Sequence, residues 1–173
     1  TSFLNDWLPR DMGREFAHNG KLSAGKPRGA GIIFISVFCI AALLFGEMSV
    51  EMFIYLVLVF VEMLTGFMDD AADEPWGEYK KGILDFLVAA VAALNYIHFN
   101  STYVELATIG VKFYIPPVLF FILTIILVWA AINVTNCSDG VDGLSGTLTI
   151  ITLVTIYVID QIRGNETQFP YII

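Results

Sequence analysis

The chain is 173 residues long, 57% hydrophobic and 15% charged, with a formal charge of −8 and a mean hydropathy of +0.72. That apolar surface exceeds what a soluble core of this length can hide, so the composition excludes a soluble acidic domain and puts the chain in a bilayer. The acidic balance points to no nucleic-acid partner, and with most of the chain in lipid the position of each charge matters more than the sum.

A spanning helix needs about 20 mostly apolar residues, and five stretches qualify: residues 30–46, 50–68, 82–98, 113–134 and 144–162. The predicted fold is therefore an all-α polytopic membrane protein with about five transmembrane helices, read as one domain over residues 1–173 because no internal repeat or low-complexity linker divides it. Arg10, Arg14, Lys21, Lys26 and Arg28 precede the first span, and Lys80 and Lys81 lie between the second and third; only Lys112 and Arg163 fall on the other side. Positively charged loops stay in the cytoplasm, so the segment before residue 30 and the loops at 69–81 and 135–143 are expected there. The polar opening TSFLNDWLPRDMGREF does not read as a cleavable signal peptide, and a first residue other than methionine points to a trimmed or partial sequence. Cys39 falls inside the first span and Cys137 in a cytoplasmic loop, where thiols stay reduced, so both are expected to be packing residues.

In chain order, the first polar motif is GKPRGAG, residues 25–31, whose glycines allow a tight loop or a close backbone approach to a ligand; a flexible entry into the membrane is the alternative. The second span carries VEMLTGFMDDAAD, in which Glu62, Thr65 and Asp69 are spaced i, i+3, i+7 and share one helical face. An ionised carboxylate in hydrocarbon is costly, so that face is expected to meet a bundle interior or a wet cavity. Asp69 and Asp70 then sit side by side at the cytoplasmic end. Paired carboxylates repel unless a cation or proton intervenes, which suits metal binding or proton abstraction; two solvated interfacial aspartates are the plainer alternative.

A second acidic cluster follows the fourth span in AINVTNCSDGVDGLSG. Asn136, Asp139 and Asp142 recur every three residues among Gly140, Gly143 and Gly146, and a helical or tightly turned loop would converge three oxygen-bearing side chains. Hard cations such as Mg²⁺ take this oxygen-only chemistry, commonly one or two carboxylates plus substrate phosphates. Topology puts this cluster on the same membrane face as Asp69 and Asp70. Lys80, Lys81, Lys21, Lys26 and Arg28 share that face, and acids mixed with cations fit a phosphorylated, Mg²⁺-bound substrate reached from the cytoplasm. Topology determination and attraction to anionic lipid account equally for any one of these basic residues.

The stretches TGFMDD and NCSDGVDGLSG resemble the signature motifs of the polyprenyl-phosphate N-acetylhexosamine-1-phosphate transferases, and GKLSAGKPRGAGI is most similar to the branch that handles phospho-MurNAc-pentapeptide. The likeness runs from about residue 9 to the fifth span, the first half of a ten-span bundle. It implies transfer of phospho-MurNAc-pentapeptide from UDP to undecaprenyl phosphate, giving lipid I and UMP, at the cytoplasmic face of a bacterial plasma membrane. Mg²⁺ is the implied cofactor; undecaprenyl phosphate, UDP-MurNAc-pentapeptide, membrane lipids and a second copy of the chain are the implied partners. By motif, Asp69 and Asp70 match the pair that handles the lipid phosphate. Asn136, Asp139 and Asp142 match the loop that helps bind the nucleotide, with Asp139 and Asp142 as metal candidates. Lys80 or Lys81 matches a family lysine after the aspartate pair.

This sequence departs from the family pattern in three places. Gly25-Lys26-Pro27-Arg28-Gly29-Ala30-Gly31 stands where the family has G-T-P-T-M-G-G, and Ser23 replaces the lysine normally two residues earlier, leaving Lys21 or Lys26 to take its place. The family's further metal aspartate and its histidine-rich loop do not follow residue 143; of the two histidines, His98 falls on the outer side. A partial chain, inactive in isolation, is therefore expected. Three other readings stay open: a transferase using UDP-GlcNAc, a cation-coupled transporter built on Glu62 and Asp85, and a noncatalytic membrane subunit.

Overall fold

The computed structural model describes residues 7–11, 24–72, 74, 76–106, 109–138 and 143–163, with the backbone alone for residues 137, 138, 160 and 163. Among the described residues, five helices and one small hairpin follow in chain order: α1 (Gly31–Phe45), α2 (Val50–Ala71), α3 (Glu78–Phe99), β1 (Tyr103–Leu106), β2 (Val111–Tyr114), α4 (Pro117–Ser138) and α5 (Leu144–Arg163). Each of the five expected apolar stretches carries a helix, although residues 113–116 of the fourth lie outside it. Helices α2, α3 and the Pro117–Asn136 part of α4 are long and apolar enough to cross a membrane. Helix α1 has 15 residues, about 22 Å at 1.5 Å per residue, and is shorter than a full crossing.

Local chemistry sets the boundaries. Ser49 caps α2, its hydroxyl accepting the Met52 N–H at 3.1 Å, with Glu51 in the first turn where an acid complements the helix dipole. The fourth helix begins at Pro117 rather than near residue 113, because residues 111–114 pair with 103–106 instead. This antiparallel hairpin sets Tyr103 against Tyr114 and Glu105 against Lys112, turns through Gly110 at φ +65°, and is closed by a 2.7 Å Lys112–Glu105 ion pair. Alternating Val, Phe and Tyr suit a strand. The Pro116-Pro117 step then blocks further pairing and starts the helix, Pro being tolerated at the first helical position.

Helices α1, α2, α3 and α4 pack each against the next. The tightest contact joins α3 to α4, where Ala89 and Ala93, one turn apart and fully buried, let Ile125, Phe121 and Val128 approach closely. Small residues serve this purpose in lipid, where helices associate by close packing rather than by a hydrophobic drive. Tyr96 stacks on Phe120 with ring centroids 5.4 Å apart, and the Trp129 indole N–H donates to the Gly82 carbonyl at 2.9 Å. Apolar side chains such as Phe34, Leu44, Leu87, Leu127 and Ile150 line the outside, as a lipid-facing surface requires. Residues 25–31, the end of α2 and the start of α3 all lie at one end of this row of helices; the hairpin lies at the other.

Candidate active site

The end of α2 carries the aspartate pair, and each aspartate meets a different cation. Lys81 Nζ, from the first turns of α3, lies 2.5 Å from Asp69 Oδ2, and Arg28 Nη2, from the segment before α1, lies 3.0 Å from Asp70 Oδ1. The Trp76 backbone N–H donates to Asp69 Oδ1 at 2.8 Å, so both oxygens of that carboxylate are held. Consecutive positions on a helix point about 100° apart, which is why one aspartate faces α3 and its neighbour the pre-α1 segment. The same geometry separates the two lysines. Lys81 meets Asp69, whereas Lys80 sits over the Trp76 ring, 3.3 Å from its centroid, in a cation–π contact.

The GKPRGAG segment is folded against this site. Residues 9–11 run antiparallel to 25–28: Asp11 N–H donates to Lys26 O at 2.9 Å, Arg28 N–H to Pro9 O at 2.7 Å, Gly25 N–H to Asp11 O at 2.8 Å, and the Arg10 guanidinium to Gly25 O at 3.0 Å. Gly29, at φ +69°, brings its backbone onto Phe67 of α2; a Cβ there would stand 2.9 Å from Phe67 Cδ2. Trp7 stacks on the same Phe67 ring at 6.0 Å and 15°. The loop through these glycines aims Arg28 at Asp70.

Of the sequence-derived site residues, Asp69, Asp70 and Lys81 are brought together, with Lys80 beside them on Trp76. Lys26 is exposed in the paired segment next to Arg28, and Asn136 is exposed in the last turn of α4. Asp139 and Asp142 lie outside the described residues, as do Lys21, Ser23 and the Cys137 side chain. The two contributors not singled out from sequence are Arg28, grouped there with the general basic residues, and Trp76, whose backbone N–H carries no residue-type signal. Among the described residues no three His, Cys, Asp or Glu side chains converge as metal ligands.

Deeper along the same face, the Glu62 and Asp85 carboxyls are within hydrogen-bonding reach of each other across α2 and α3. The Thr65 hydroxyl donates instead to the Glu62 carbonyl of its own helix at 2.8 Å. A cavity of about 430 Å³ lies at the opposite end, lined by Phe38, Ala42, Met52, Tyr55, Tyr96 and Asn100 among others, remote from the aspartate pair.

Comparison with known proteins shows that residues 52–173 match glycosyl transferase family 4, and the chain belongs to that family. It is similar to the phospho-N-acetylmuramoyl-pentapeptide-transferase of Treponema pallidum, at 42% identity over 138 residues in each of two strains of that organism, one of them Nichols. The match covers 78% of this chain and 38% of each relative, so the chain spans about two fifths of their length. No solved structure matches the chain.

Proposed function

We propose that the protein carrying this chain is a phosphoglycosyl transferase of peptidoglycan synthesis. It would move phospho-MurNAc-pentapeptide from UDP to undecaprenyl phosphate at the cytoplasmic face of the bacterial plasma membrane, forming lipid I and UMP. The observation that carries the reading is the pairing of adjacent Asp69 and Asp70 with Lys81 and Arg28. These ion pairs are partly exposed: the lysine side chain is 34% accessible and the arginine 28%. Such pairs are worth only about 0–1 kcal/mol each, so an arriving phosphate can compete for either cation. As Lys81 or Arg28 turns to the phosphate, an aspartate is released beside it to take its proton or orient it.

In this scheme an oxygen of the polyprenyl phosphate attacks the β-phosphorus of the nucleotide. The bond from that phosphorus to the bridging oxygen breaks, and the electron pair leaves on UMP. Asp69 and Asp70 act on the lipid phosphate. Lys81, Arg28, Lys80 and Lys26 form the basic rim that attracts both phosphates, and Asn136, Asp139 and Asp142 would bind the nucleotide. Mg²⁺, assigned to Asp139 and Asp142, would offset diphosphate charge when bound. The scaffold is a single membrane domain, and a homodimer is the proposed assembly.

The test is UMP release by the detergent-purified, full-length protein from undecaprenyl phosphate and UDP-MurNAc-pentapeptide, with and without Mg²⁺, with UDP-GlcNAc as the competing donor. Release with the muramoyl donor alone, lost on chelation, supports the assignment. Release with UDP-GlcNAc alone moves the protein to the GlcNAc-1-phosphate branch, and no release with either donor sinks the reading.

A further inference from the structure

Helices α2 and α3 run in opposite directions; beside the Glu51 contacts with Asn95 and Asn100 at the far end, they meet at two polar rungs nearer the aspartate pair. The upper rung is the Asp69–Lys81 ion pair. The lower is Glu62 with Asp85, two turns before Asp69 on α2 and one turn beyond Lys81 on α3. Seven residues of helix put the lower rung about 10 Å further into the membrane. Asp85 is only 8% exposed, and Glu62 Oε2 is closed off from solvent with no hydrogen-bond partner. The helices on either side offer no help: neither GIIFISVFCIAALLF of α1 nor PVLFFILTIILVWAAINVTNCS of α4 contains a charged residue. Two carboxylates facing each other in such a place would repel in a medium that barely screens them, and a hydrogen bond from one carboxyl to the other would require a proton. Once formed in low dielectric, that bond is strong and directional.

We propose that Glu62 and Asp85 hold one proton between them and act as a positioning pair for Asp69, locking α2 against α3 at the register in which Lys81 meets it. The inference rests on the transferase reading for its consequence in turnover, though not for its geometry. The Glu51 contacts hold the far end of the pair, but toward the aspartate end the remaining contacts are largely apolar, and in lipid such contacts allow sliding or rotation at small cost. A hydrogen bond between two short side chains permits one register. The pair touches neither substrate, and its effect reaches the chemistry through the position of Lys81.

The distinguishing comparison is Glu62→Gln against Glu62→Ala. Glutamine still donates to Asp85 and should preserve the rung, whereas alanine removes it. Three readouts apply. Cysteines introduced as Asp69→Cys and Lys81→Cys, with Cys39→Ala and Cys137→Ala, should crosslink efficiently with Glu62 or Glu62→Gln and poorly with Glu62→Ala. Infrared spectra should show a protonated-carboxyl C=O band that shifts in D₂O and disappears in Glu62→Gln. In UMP release by the full-length protein, Glu62→Ala should lower kcat about tenfold with KM within about twofold, and Glu62→Gln should restore it. Crosslinking and kcat unchanged in Glu62→Ala, or no carboxyl band, overturns the proposal. If Glu62→Ala does not purify folded, Asp85→Asn replaces it: the crosslink should persist and the band vanish, and a surviving band is contrary. Absence of UMP release from the unmodified protein defeats the transferase reading alone, because crosslinking and infrared need no turnover.

Discussion

The Lys81 ammonium sits 2.5 Å from one carboxylate oxygen of Asp69, and the two residues come from opposite sides of the α2–α3 turn. The short connection, residues 72–77, is what brings the start of one helix back to the end of the other, and Trp76 within it donates its backbone N–H to the other Asp69 oxygen at 2.8 Å. Asp69 is thus oriented by two donors before any substrate arrives. Preorganisation of this kind removes reorientation from the reaction step.

Asp69→Asn keeps the shape and the N–H acceptor but loses the charge and the proton-accepting oxygen. UMP release by the full-length protein should fall by roughly 10²–10⁴, the usual worth of a general acid or base, with the gel-filtration profile unchanged. Asp70→Asn should lower turnover as well, since its oxygen faces Arg28. Wild-type rates in both variants would remove the aspartate pair from the chemistry.

Arg28 reaches Asp70 only because the glycine-rich segment is folded. Arg28→Ala should raise KM for polyprenyl phosphate about tenfold by removing the charge that competes between carboxylate and phosphate, and Arg28→Lys should fall between, keeping the charge but not the two-pronged donor geometry. Titration of the lipid substrate at saturating nucleotide measures this. An effect confined to the nucleotide KM would place Arg28 on the other substrate.

Gly29 faces two obstacles to any side chain: its φ of +69° and Phe67 at 2.9 Å from a Cβ. Gly29→Ala should cost about 1–3 kcal/mol, read as a lower midpoint in thermal unfolding followed by tryptophan fluorescence. Adding Phe67→Leu should recover part of the loss by opening space and leave the backbone share.

Much of this architecture was legible in the sequence because lipid imposes a simple rule, that apolar runs form helices, and each of the five runs carries one. Boundaries were less legible where another force competed. Residues 111–114 are apolar enough to extend the fourth span, yet they pair with 103–106, and only the pairing partner across the Gly110 turn decides that. The face shared by Glu62 and Asp69 was readable from spacing alone, and both residues do turn toward α3. Which cation meets which aspartate was not readable, for two reasons. Lys80 and Lys81 differ in direction by about 100° on α3, and Arg28 arrives through long-range pairing of residues 9–11 with 25–28 that leaves no periodic trace.

Trp129 tests the α3–α4 contact apart from the site. Its indole N–H bonds to Gly82 O at 2.9 Å, one residue beyond Lys81. Trp129→Phe keeps most of the ring packing and loses that bond, for about 1 kcal/mol, measurable as a shift in the denaturant midpoint of SDS titration. Turnover at low temperature should change little unless the bond also steadies Lys81, in which case kcat falls with stability.

Glu51 provides the opposite control, at the far end of the same helix. Its side-chain oxygen accepts from Asn100 Nδ2 at 2.5 Å and from the Tyr55 hydroxyl at 3.4 Å, while its backbone carbonyl takes Asn95 Nδ2 at 3.1 Å. Glu51→Ala breaks the first two contacts and spares the third, loosening the α2–α3 pair by about 1–2 kcal/mol. Asp69 lies 18 residues further along α2, about 27 Å away at 1.5 Å per residue. The variant should therefore lower the unfolding midpoint and leave kcat and both KM values within about twofold of wild type. A large loss of kcat would mean that the two ends of the α2–α3 pair are mechanically coupled, and the Glu62–Asp85 rung between them is where that coupling would have to pass.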